Sequence, residues 1–240
     1  MKFSLVSSLL LLCVLLPPSA RAEAEKKKTI VIPRETRQIE GWTVRIDQSL
    51  LPGGADPKTG ATAIGLLEAD LRRIAILMTP DNLAKLRRVT IVLDRECGSL
   101  VPMQYHPSAK WLTENGFEAT LERSVHVPKA LAYIDPKHVF NQPSCILHEL
   151  AHAYHDQVLT FDDKRILAAF ARAQLDRKYE EVLFIRGGKR KHYALTNHKE
   201  YFAEATEAWL GTNDFYPFVR SELMAHDPGL AEVLREVWGE

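Results

Sequence analysis

Two histidines stand four residues apart in His148-Glu149-Leu150-Ala151-His152. On a helix, positions i and i+4 share one face, so both imidazoles can reach a single ion. Glu149 is offset just enough to touch a water held by that ion. Imidazole nitrogens suit zinc, and a glutamate beside a zinc-activated water suits a general base. The chemistry this spacing supports is hydrolysis.

A hydrolytic zinc takes three protein ligands and keeps a fourth position for water. The third ligand must come from a distant segment. Thr196-Asn197-His198-Lys199-Glu200-Tyr201-Phe202-Ala203-Glu204 offers two carboxylates four apart, hence on one helical face. One of Glu200 and Glu204 can bind zinc while the other hydrogen-bonds a ligating histidine from behind. Asn197 and Glu200 also fit a variant capping box, and spacing does not choose between these roles.

The run Tyr193-Ala194-Leu195-Thr196-Asn197-His198-Lys199-Glu200-Tyr201-Phe202-Ala203-Glu204, following His148-Glu149-x-x-His152, resembles the catalytic domain of anthrax-lethal-factor-like metallopeptidases. These are gluzincins, zincin-like enzymes whose third zinc ligand is a glutamate. The resemblance implies zinc as cofactor and Glu200, directly before the aromatic pair, as that ligand. Glu204 is then left to orient a histidine. Tyr193, seven residues before Glu200, is implied to face the zinc and stabilise the tetrahedral intermediate. The likeness covers about residues 145–210 and departs from the family in Leu150-Ala151 and Tyr201-Phe202. It carries over neither toxin behaviour nor a substrate preference.

Such a site needs a helix, a sheet beside it and a second helix across from it. Thr29–Ile32 and Ile39–Ile46 read as strands, the latter with Trp42, Val44 and Ile46 alternating. Ile64, Leu67, Leu71, Ile74 and Leu77 recur at helical spacing, and Val89–Leu93 is a short apolar run fit for a central strand. Glu122–Val127 alternates and falls where zinc peptidases of this type place the edge strand, to which an extended peptide can add. Pro143-Ser144 opens the histidine helix. Further helices are expected over Asp163–Arg177, His198–Leu210, Pro217–Ala225 and Gly229–Trp238, with a hairpin around Gly187-Gly188. Sheet elements first and helices last predict an α+β, zincin-like fold: a twisted mixed sheet, an active-site helix and a mostly helical C-terminal part.

Lys+Arg and Asp+Glu each number 31 in 240 residues, a neutral balance that argues against nucleic acid or an anionic membrane as partner. Lys2, the apolar Leu5–Leu16 stretch and Ala20-Arg21-Ala22 form a signal peptide over residues 1–22, too short for a membrane span. A single domain over 23–240 follows, secreted or periplasmic. Removal of Cys13 leaves Cys97 and Cys145, which suggests a disulfide in an oxidising compartment or else two buried thiols. His155 reads as a residue supporting the metal ligands from behind or as a surface one, and His106 and His126 as structural or exposed ones.

The expected protein is an exported zinc metallopeptidase acting on peptide or protein substrates. Metal ligands are His148, His152 and Glu200; Glu149 and Tyr193 are catalytic; Glu204 supports a histidine. The alternatives are a zinc hydrolase of a non-peptide amide and a secreted zinc-binding module without catalysis.

Overall fold

The computed structural model describes residues 28–239, so the expected signal peptide lies outside the described residues. The chain runs β1 (Arg34–Ile39), β2 (Trp42–Asp47), α1 (Pro57–Leu77), α2 (Pro80–Leu86), β3 (Thr90–Leu93), β4 (Gln104–Tyr105), α3 (Ala109–Glu114), β5 (Ser124–Val127), α4 (Ala130–Tyr133) and α5 (Pro136–Asn141). It continues through α6 (Cys145–Tyr154), α7 (Lys164–Asp176), the short β6 (Val182–Leu183) and β7 (Lys189–Arg190), α8 (His198–Leu210), α9 (Arg220–His226) and α10 (Pro228–Trp238). The order is that of an α+β protein with a small mixed sheet.

The sheet has the order β1-β2-β3-β5-β4. β2, β3 and β5 are parallel, and β1 and β4 close the two edges antiparallel. Register stacks Val44, Ile91 and Val125 in one row and Ile46, Leu93 and Val127 in the next. Because side chains alternate faces, these residues share one side, and all are buried in the main core. Val92 points the other way, into a second cluster with Cys97, Leu112, Phe117 and Leu121.

Three expectations change here. Ile39–Ile46 is not one strand: Glu40 and Gly41 take φ values of 50° and 87°, making the two-residue turn of a hairpin between β1 and β2. Thr29–Ile32 forms no strand; Ile30 and Ile32 instead pack on the second cluster, with the Ile30 N–H donating to Gly116 O at 2.8 Å. β5 is an interior strand, and the edge beside the histidine helix is β4. Ser124 and His126 alternate with Val125 and Val127 as expected, yet all four are buried because both faces of β5 are covered.

α6 crosses the main core. Ile146, Leu147, Leu150, Ala151, Ala153 and Tyr154 are buried, against β4, β5, α1 and α8. Each large side chain so buried contributes about 2 kcal/mol of transfer free energy. The helix loosens into a π-helical turn, His155–Leu159, which ends where Thr160 turns to φ 71°. α8 starts where Asn197 Oδ1 accepts the N–H groups of Lys199 and Glu200 at 2.9 and 3.1 Å. The close approach of α1 to the loop before it depends on Gly60, where a Cβ would lie 1.8 Å from Leu50 O. No helix among the described residues is long and apolar enough to cross a membrane.

Candidate metal centre

α6 presents His148 and His152 one turn apart, and α8 lies against them. Glu200 Oε2 is 3.1 Å from His148 Nε2 and 3.2 Å from His152 Nε2; the two ring nitrogens are 3.1 Å apart. Zinc bonded at ~2.0 Å with tetrahedral angles holds its ligand atoms about 3.3 Å apart. The triangle of donors matches that figure on every edge, so the residues present fit a zinc ion. The Asn197 cap and the Glu200–histidine contact coexist. Asn197 satisfies the first N–H groups of α8 without the reciprocal bond from Glu200, whose carboxylate turns to the histidines instead.

The tautomer of His148 agrees. Its Nδ1 lies 2.7 Å from Glu207 Oε1, and a carboxylate oxygen of this kind accepts. Nδ1 then carries the proton and Nε2 keeps its lone pair for a metal. Burial opposes charge on His148, but without metal Glu200 and Glu207 prevail and hold its pKa well above the ordinary histidine value, so a metal binding at Nε2 would displace the proton there. Glu200 is half-buried, which opposes its charge, yet the two histidines hold its pKa well below the usual carboxylate range.

Glu207, not Glu204, makes the hydrogen bond to His148. Glu204 Oε1 is 3.7 Å from His148 Nδ1, and Glu204 Oε2 has no hydrogen-bond partner. Burial, and then repulsion from Glu207, pushes the Glu204 pKa well above its ordinary value. The sequence signal for Glu207 was its position seven residues after Glu200, on the same face of α8.

Glu149 faces the donor triangle from α6. Its Oε2 accepts the backbone N–H of Tyr105, on β4, at 2.7 Å. Burial raises its pKa, which favours a carboxylate able to take up a proton. Tyr193 opens a 3₁₀ turn directly before α8, is 48% exposed and borders the same cleft. Burial and then Glu200 raise its pKa, so its hydroxyl remains a donor. The cleft has a volume of about 680 Å³ and gathers all six expected site residues: His148, Glu149, His152, Tyr193, Glu200 and Glu204. Two residues that sequence reasoning missed, Glu207 and Asp214, line it too. Asp214 lies in the loop after α8, where burial and then Glu207 push its pKa up to about 7.

No protein-family model, curated protein or solved structure matches this chain.

The other histidines lie elsewhere. His155 is fully buried among Phe161, His198 and Phe202 and neither ring nitrogen has a hydrogen-bond partner, so it is neither a surface residue nor bonded to a metal ligand; it lies in the π-helical turn that follows α6. His106 and His126 form a buried ladder, His106 Nε2 to His126 Nδ1 at 3.1 Å and His126 Nε2 to Asp94 Oδ2 at 2.9 Å. Asp94, Cys97 and His126 also bring three ligand-type atoms within 4.8 Å. That group fits a metal poorly. Arg34 already forks onto both Asp94 oxygens at 2.7 and 2.8 Å, and burial pushes the Cys97 thiol up to about 11.

Cys97 and Cys145 are free thiols, which corrects the expected disulfide. Cys97 belongs to the cluster around Val92, whereas Cys145 packs against the main core on the opposite face of the sheet. The sheet separates them.

Proposed function

We propose that this protein is an exported zinc-dependent metallopeptidase of the gluzincin type, with a zincin-like fold akin to the anthrax-lethal-factor-like catalytic domain. The observation that carries this reading is the convergence of His148 Nε2, His152 Nε2 and Glu200 Oε2 on one point, with Glu149 beside it in an open cleft. Structural zinc sites close with four protein ligands, whereas three ligands and a neighbouring glutamate suit catalysis.

His148, His152 and Glu200 would hold the zinc. When bound, it supplies Lewis acidity toward a carbonyl and lowers the pKa of water to about 7. Glu149 accepts the proton of the attacking water and delivers it to the leaving amine. Glu207 keeps His148 in the tautomer that binds metal. The Tyr193 hydroxyl donates to the oxyanion that develops on the scissile carbonyl.

The test is digestion of a proteome-derived peptide library by the zinc-loaded protein, read by mass spectrometry for new termini. Cleavage that stops on chelation and returns with zinc is the expected result. An intact library with one zinc per chain overturns the reading and favours a non-peptide amide substrate or a binding role.

A further inference from the structure

Beyond His148 the cleft continues into a pocket floored by Glu204, Glu207 and Asp214, which are 4%, 4% and 8% exposed. Glu204 lines it without a side-chain hydrogen-bond partner for its buried Oε2, which lies 3.7 Å from His192 Nδ1. A buried carboxyl oxygen left without a donor is an acceptor that a cationic side chain can satisfy. Phe184 and Phe215 wall the pocket, with ring centroids 4.8 Å apart. Arg186 is the one cationic residue bordering the cleft. It is exposed, lies over the Phe184 ring and makes no ion pair with the three carboxylates.

Charge decides what fits. Five carboxylates border the whole cleft, Glu149 and Glu200 included, against that single guanidinium.

We propose that this end of the cleft is a specificity pocket for a cationic side chain, lysine or arginine, of the residue next to the cleaved bond. The inference rests on the peptidase reading above. A lysine or arginine stem is apolar and would lie against Phe184 and Phe215, while its charged head reaches Glu204 and Asp214. A second metal ion on His148, Glu204 and Glu207 is the rival occupant, since these also cluster within 4.8 Å. It would require His148 to ligate through both ring nitrogens, losing the Nδ1 proton that Glu207 accepts.

The experiment uses a series of fluorogenic peptides differing at one position on either side of the cleaved bond: lysine, arginine, norleucine or glutamate. At one of the two positions, kcat/KM for lysine and arginine should exceed norleucine about 10- to 100-fold, the worth of one or two charge-assisted hydrogen bonds. Asp214→Asn combined with Glu204→Gln should collapse that ratio toward one, with thermal melting used to verify folding. The same peptides are titrated by fluorescence anisotropy onto zinc-loaded Glu149→Gln protein, which reads binding without turnover. There the lysine peptide should bind about 10-fold more tightly than the norleucine peptide. Equal affinities, a ratio that survives the double substitution, or two zinc ions per chain each overturn the pocket. Absence of cleavage with lysine-selective binding intact would fail the peptidase reading alone.

Discussion

The Tyr105 backbone N–H holds Glu149 Oε2 at 2.7 Å, joining the edge strand of the sheet to the candidate general base. β4 can do this because its other bonds face β5: His106 N–H donates to Ser124 O at 3.1 Å, and Arg123 N–H donates to His106 O at 2.6 Å. Alternate amides of an edge strand point outward, and that of Tyr105 meets the carboxylate. The Tyr105 hydroxyl adds a bond to Asp156 Oδ2 at 2.6 Å. One oxygen of Glu149 is thereby fixed, and the other is left to the cleft.

Glu149→Gln tests this arrangement with little change of shape. The amide oxygen of glutamine can still accept from Tyr105, so folding and zinc content should match the parent. Proton acceptance is lost, and kcat for peptide cleavage should fall about 10²- to 10⁴-fold, the usual contribution of a general base. Steady-state kinetics with zinc quantified in the same samples gives the answer. Near-parental turnover would remove Glu149 from the chemistry.

Glu207 and Glu204 are separable by zinc affinity. Loss of the carboxylate that orients a ligating histidine typically weakens metal binding 10- to 100-fold. Glu207→Ala should do so, measured by competition with a chromophoric chelator, because its 2.7 Å bond to His148 Nδ1 disappears. Glu204→Gln should change zinc affinity less, since the nearest Glu204 oxygen is 3.7 Å from that nitrogen. The reverse ranking would show that Glu204 takes over the histidine once metal is bound.

The sequence displayed the parts of the site that lie on single helices. His148, Glu149 and His152 follow from i and i+4 spacing on α6, and Glu200 and Glu204 from the same spacing on α8. What it hid depends on pairing between distant segments. The Tyr105 amide reaches Glu149 only through the β4–β5 register, and a backbone donor carries no side-chain signature. Asp214 enters from a loop whose path depends on the packing of α8. Ser124 and His126 suggest a wetted face and hence an edge strand, whereas Leu112, Phe117 and Leu121 build a second apolar cluster on that side of the sheet. Cys97 belongs to that cluster, so the sheet lies between it and Cys145, which counting cysteines cannot reveal. The turn at Glu40-Gly41 has no clear sequence signature, because a glutamate rarely takes positive φ.

His155 offers a test through pH. Neither of its ring nitrogens has a hydrogen-bond partner, and burial, with some help from His198, lowers its pKa to about 3. In the unfolded chain it titrates near 6.5. The stability that depends on its staying neutral is complete above about pH 6.5 and erodes as pH falls toward 3, because only the unfolded chain takes up the proton. His155→Leu removes both unpartnered nitrogens and should raise the melting temperature at neutral pH. The advantage should widen by about 2 kcal/mol between pH 6.5 and 4.5, measured on chelator-treated protein. A gap that stays constant across that range would mean that the imidazole is hydrated in the native state.

Zinc should stabilise the folded protein through one donor set and not the other. A ligand that binds only the native state adds about 4 kcal/mol when its free concentration is ~1,000 times Kd. For a chain of this size that is a rise of roughly 8–16 °C in melting temperature. Besides the His148-Glu204-Glu207 group weighed above, two groups of donors compete to explain such a shift, His148-His152-Glu200 in the cleft and Asp94-Cys97-His126 behind the sheet. The cleft group offers a preformed triangle of lone pairs. The other would have to displace Arg34 from Asp94 and ionise a thiol whose pKa is pushed up to about 11. His152→Ala should therefore abolish the zinc-induced rise. Cys97→Ala should lower the baseline melting temperature by leaving a small cavity in the second cluster, yet keep the rise undiminished. Scanning calorimetry over a zinc series for both variants separates the two groups. A rise lost with Cys97 and kept without His152 would move the metal behind the sheet and leave the cleft without its chemistry.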